Sequence, residues 1–194
     1  MEEESQLEDP PRDCGIKRSI SSPNLFVAEP LHPVSVYGMD AITLVEIPPL
    51  QVLGMRQRGN YRIIPELLQQ IFEFAMRNRV AIAGMPMFLM HERSKEEAME
   101  ADRTGTADVE VVVPVSGSVR AEGKVRAYSI PGGKMARIMH KGPYENSEQS
   151  YAKLMTWIAE KGLQVKGPIR EIYHNNPQEV KPEEILTEIL VPIG

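Results

Sequence analysis

The chain is short of cysteine, of aromatic residues and of unbroken apolar runs, and each shortage excludes something. One cysteine, Cys14, in 194 residues cannot close an internal disulfide, so the fold must rest on packing, and a reducing compartment is expected. No apolar run approaches the roughly 18 residues of a membrane-spanning helix, so no integration into a membrane is expected. Basic residues are outnumbered, 22 against 27 acidic, for a formal net charge of −5. A surface that tracks phosphate backbones carries a basic surplus or stripe, so direct nucleic-acid contact is not expected. The start, Met1-Glu2-Glu3-Glu4, lacks the basic opening and apolar stretch of a secretory signal, which points to the cytoplasm. Phosphate loops, dinucleotide fingerprints and nucleophile motifs are missing too, so no cofactor is expected.

What the chain does have is one unit written twice. Moved forward by 83 positions, residues 42–92 fall without a gap on residues 125–175: Ile47-Pro48 meets Ile130-Pro131, Gly59-Asn60-Tyr61 meets Gly142-Pro143-Tyr144, and His91 meets His174. At an offset of 78, Val109–Val115 falls on Thr187–Ile193, so copy one holds a loop longer by five residues. Repeats fix architecture before any single element does. Copy one is assigned to 40–116 and copy two to 124–194, within one domain over 39–194 preceded by a proline-rich tail over 1–38. In that tail, Lys17–Pro23 places basic residues before serines, and Asn24–Ala28 is the one apolar patch.

Each copy reads as strand, strand, helix, strand, strand. Ile42–Ile47 and Gln51–Arg56, parted by Pro48-Pro49, predict a hairpin. Ile64, Leu67, Leu68, Ile71, Phe74 and Ala75 follow helical spacing, as do Tyr151, Leu154, Met155 and Ile158 in copy two, with Gly162 placed to end that helix. Residues 92–106 read as a charged loop, followed by a Val-dense strand over 109–115. The fold class is α+β: a duplicated unit with pseudo-twofold symmetry, an antiparallel sheet, two helices on one side and a central groove.

In the last strand, alternation puts Thr187, Ile189, Val191 and Ile193 on one face, suited to lie beneath the helices, and Glu188, Leu190 and Pro192 on the other. The repeat places Glu110 opposite Glu188, so two carboxylates are expected near the axis. Trp157 stands at the edge of its helix's packed face, where a groove wall would be. Tyr144 follows a Gly-Pro turn, Tyr61 is its counterpart, and Tyr173 shares strand parity with Glu171, so that one of that pair can reach the groove. His91 and His174 form a symmetric pair without a third ligand at metal spacing, and no metal site is expected.

Met139–Tyr144, Leu154–Ile158, Arg170–Pro177 and Leu186–Ile193 together resemble the GyrI-like small-molecule-binding domain, an SHS2-type duplicated fold that also serves as the effector-binding module of AraC-type and multidrug-sensing regulators. The resemblance covers about residues 40–194. It implies a ligand cleft at the pseudo-twofold axis and a ligand-contacting glutamate in the last strand, here Glu188. The expectation is a free-standing module that binds lipophilic, cationic or aromatic small molecules, with Glu188 as charge anchor, Glu110 beside it, and Trp157, Tyr144, Tyr173 and Tyr61 as aromatic walls. The alternative is a hydrolase of strained or electrophilic small molecules, Glu188 acting as base and Tyr144 or Tyr173 as proton donor. A second alternative is a protein-interaction module like a gyrase inhibitor. DNA contact, if any, falls to a separate chain.

Overall fold

The computed structural model describes residues 41–121 and 123–194; the tail over 1–38, with its basic-serine run and apolar patch, lies outside the described residues. The elements are β1 (Thr43–Ile47), β2 (Leu50–Gly59), α1 (Ile64–Arg77), β3 (Ala81–Ile82), β4 (Met87–Met90), α2 (Lys95–Thr104), β5 (Ala107–Ser116), β6 (Arg126–Ile130), β7 (Gly133–Lys141), α3 (Glu148–Glu160), β8 (Ile169–Tyr173) and β9 (Leu186–Pro192). Among the described residues no helix is long and apolar enough to cross a membrane.

One curled antiparallel sheet runs in the order β1-β7-β9-β8-β4-β5-β2-β6, with β3 beside β5. The hairpin expected within each copy does not form. β1 pairs instead with β7, and β6 with β2, so each first strand crosses to the other half. The link explains this: Pro48 and Pro49 have no N–H to close a turn, and a residue before proline is held extended, so the chain is carried across rather than reversed. Its counterpart passes so close that a Cβ on Gly132 would fall on the backbone of Ile47 and Pro48. Arg170, only 3% exposed, reaches this crossing and donates to the Pro131 carbonyl.

The ladders obey the sequence offset. Thr43 faces Arg137 and Gly54 faces Arg126, residues related by 83. In the central β4–β8 ladder Phe88 faces Glu171, two residues that are themselves 83 apart.

Two apolar cores lie beneath helices. Leu67, Ile71 and Phe74 of α1 pack on Leu53, Val111 and Val113, and Leu154 and Ile158 of α3 pack on Ile138, Ile189 and Val191, so the aliphatic face of the last strand does lie under a helix. Each such Leu or Ile, buried in full, contributes about 1.5–3 kcal/mol. A third core, including Met87, Leu89, Met135 and Leu190, fills the other face of the sheet. Met155, expected in the buried stripe of α3, is 36% exposed instead. Gly162 ends α3 with φ +67°, the left-handed conformation that glycine adopts without strain.

The charged segment over 92–106 is not a loop throughout. It contains α2, started by Ser94, whose side chain accepts from the Glu97 N–H at 3.1 Å while the Glu97 carboxylate accepts from the Arg93 N–H at 2.9 Å, and ended by Gly105 at φ +68°. The helix buries no residue, so it carries no apolar stripe to betray it.

Candidate functional site

A short helical turn precedes each main helix: Tyr61–Ile63 before α1 and Tyr144–Asn146 before α3. Both turns bring a tyrosine toward the seam between the two helix-side cores. β8 runs along that seam, with Ile169 in the α3 core, Tyr173 in the α1 core, and Glu171 between them on the same face. Across the ladder Phe88 supplies an aromatic ring where copy two supplies a carboxylate.

Glu171 is deeply set on the helix side of β8 and still partly exposed. Its Oε1 accepts from the Tyr151 hydroxyl at 2.5 Å and its Oε2 from the Tyr173 hydroxyl at 3.1 Å. Tyr144, 38% exposed, sets its ring edge-on to Tyr173 with centroids 5.6 Å apart. Tyr61 packs edge-on to Phe88 at 5.3 Å, and its hydroxyl donates to Glu92 at 3.1 Å. Burial pushes the Glu171 carboxyl above its ordinary range, against the opposing pull of the two phenols and of His140. Burial likewise raises Tyr61, Tyr144, Tyr151 and Tyr173, and the charge of Glu171 adds to the rise in all four.

α2 straps this region. Asp102 Oδ1 accepts from the Tyr61 backbone N–H at 2.6 Å, and Lys95 Nζ meets Glu148 of α3 at 2.5 Å. Seven residues of helix span about 10 Å, so the strap links the turn before α1 to the first turn of α3.

The other expected residues lie elsewhere. Glu188 and Glu110 do face away from the helices, on the side of the third core, where each has partners within the chain. His174 Nε2 lies 2.7 Å from Glu188 and Arg137 lies 3.7 Å away. Glu110 accepts from the Tyr128 hydroxyl at 2.5 Å, with His91 Nε2 at 2.6 Å and Arg56 at 3.5 Å. Burial works against the Glu110 charge, but the hydrogen bonds from His91 and Tyr128 outweigh it and hold its carboxyl below the ordinary range. The Tyr128 ring lies against Gly54, where any Cβ would meet it. Strand parity puts Glu188 on the face opposite Glu171 and the tyrosines that bond it. The Trp157 ring packs on the α3 core with Lys161 Nζ 5.8 Å from its centre. Of the expected aromatic residues, Tyr144 packs on Tyr173, and Tyr61 packs on Phe88, which faces Glu171 across the ladder. The reading of Tyr151 as plain packing missed its hydroxyl, although Tyr151, Glu171 and Tyr173 were all visible as polar tips on apolar faces.

The family model describing a GyrI-like small molecule binding domain matches residues 40–194. No curated protein sequence matches the chain significantly. Among solved structures the fold is shared with the C-terminal domain of EcmrR, at 24% identity and a TM-score of 0.70, over 79% of this chain and 97% of that domain. It is also shared with EcmrR in its DNA complex, of which the chain spans 57% of the length, at 24% identity and a TM-score of 0.69 over 79% of this chain. A hydrolase encoded by lin2189 from Listeria innocua matches at 13% identity and a TM-score of 0.62, over 80% of this chain and 92% of that one. SAV2435, solved with tetraphenylphosphonium, matches at 16% identity and a TM-score of 0.51, over 79% and 94%.

Proposed function

Because the chain belongs to the GyrI-like small-molecule-binding family, we propose that the cleft at the α1–α3 seam binds apolar small molecules carrying positive charge, with Glu171 as the anchor and Tyr61, Tyr144, Tyr151 and Tyr173 as the walls. One observation carries this reading. Glu171 is a deeply set carboxylate whose hydrogen-bond partners are both neutral phenols, so among the described residues no lysine or arginine offsets its charge. A cationic ligand supplies that offset, and aromatic faces add about 0.5–2 kcal/mol of cation–π attraction. The tetraphenylphosphonium held by SAV2435 is such a molecule. In EcmrR the same fold is a C-terminal domain, which fits a ligand-sensing role here, with any DNA contact or protein partner left to other segments or chains.

The test is calorimetric titration with tetraphenylphosphonium. Saturable binding is expected, weakened about a hundredfold by Glu171→Gln and unchanged by Glu110→Gln. Equal binding by the native chain and Glu171→Gln would remove Glu171 as the anchor.

Hydrolysis is a second reading, favoured by the 2.5 Å contact between the Tyr151 hydroxyl and Glu171. A carboxylate can activate water as base while a neighbouring phenol gives a proton to the leaving atom. Recovery of a hydrolysed product from an electrophilic probe, lost in both Glu171→Gln and Tyr151→Phe, would support this reading; unchanged probe would count against it.

A further inference from the structure

Resting on the cleft reading above, we infer that the Glu171 site selects cations that carry N–H groups, protonated amines or amidines, over quaternary cations of the same size and charge. An ionised carboxylate offers about four acceptor positions. Two of them are filled, one on each oxygen, by Tyr151 and Tyr173. Each phenol has one proton and spends it on Glu171, so the phenolic oxygens turn only lone pairs outward. Among the described residues no lysine, arginine or backbone N–H donates to Glu171. His140, which acts on it electrostatically, has both ring nitrogens engaged elsewhere, with Ser150 at 3.1 Å and the Pro143 carbonyl at 3.1 Å. The Tyr144 hydroxyl at the mouth accepts as readily as it donates.

The cleft therefore holds an excess of acceptors. Glu110 and Glu188, by contrast, have their charge met by histidine and arginine of the chain. An ammonium N–H closes to about 2.8 Å on a carboxylate oxygen and fills one of these positions. The methyl shell of a quaternary nitrogen holds it at van der Waals range, roughly 4 Å or more, and leaves the acceptors dry and unpaired. Cation–π attraction is open to both kinds of ligand, so it does not separate them. A site built to hydrogen-bond its ligand rejects the analogue that lacks the group.

The experiment compares biphenyl-4-ylmethylammonium with its N,N,N-trimethyl analogue, titrated calorimetrically into the full chain at pH 8. The primary ammonium is expected to bind about ten- to a hundredfold more tightly, the factor of a hydrogen bond to a charged group. In Glu171→Gln, whose thermal unfolding confirms its fold, that ratio is expected to fall towards one. Equal or tighter binding of the trimethyl compound by the native chain overturns the inference while leaving the cleft reading intact. A preference that persists in Glu171→Gln also overturns it. Failure of both compounds to bind overturns the cleft reading along with the inference.

Discussion

Two faces of one sheet carry buried glutamates, and they treat them differently. On the face away from the helices, Glu188 and Glu110 have their charge met inside the chain, by His174 and Arg137 in one case and by His91, Tyr128 and Arg56 in the other. On the helix side, Glu171 has two phenols and, among the described residues, no lysine or arginine. Burial alone therefore does not mark a binding site. In the proposed function, Glu188 and Glu110 hold the fold, and Glu171 takes its counter-charge from a ligand.

The largest expected effect sharpens this contrast from the structural side. Glu188→Leu strands Arg137 and His174 at side chains 11% and 9% exposed, and should cost about 3 kcal/mol in urea unfolding at pH 7. Cation affinity should stay as it was; a loss of affinity without unfolding would break the contrast.

A smaller effect of opposite sign is expected at Glu171. Its folded carboxyl is raised, so the folded chain holds this proton more readily than the unfolded one, and stability is lost as pH rises above the ordinary carboxylate range. Glu171→Gln should then be more stable than the native chain by about 1 kcal/mol at pH 7, and the gap should close in acid. Glu110 runs the other way. Its lowered carboxyl contributes stability that is full above the ordinary range and is lost as pH falls through the folded value. Melting curves of Glu171→Gln and Glu110→Gln from pH 3 to pH 8 should therefore diverge from the native chain in opposite directions at neutral pH and converge on it in acid.

The smallest effect concerns the strap. Lys95 and Glu148 are 54% and 65% exposed, so Lys95→Ser should change stability by less than about 0.5 kcal/mol, measured by urea unfolding. A cost of several kcal/mol would mean that the two helices are held together by more than this contact.

Much of the fold was legible. The apolar stripes of α1 and α3 and the alternation of β9 follow from local periodicity, and the two offsets reappear in the ladder registers. α2 escaped because a helix without a buried face has no stripe, although Ser94, Glu97 and Gly105 spell its two ends. The exchange of β1 and β6 escaped because periodicity says which face a strand buries but not which strand lies beside it. The contrast between Glu188 and Glu171 was hidden for a related reason. Both belong to apolar strands with the right alternation, and only assembly shows that one faces a histidine and an arginine and the other a ring of tyrosines.

The sequence by itself determined the main helices, the inward faces of the strands and the family, because these depend on spacing along the chain. Tertiary structure alone decided that Phe88 meets Glu171 at the centre of the sheet and that Tyr151 and Tyr173 give their protons to one carboxylate. The physical reason is that a charge is judged by its neighbours in space, and residues 88, 151 and 171 become neighbours only when two halves of the chain share one sheet.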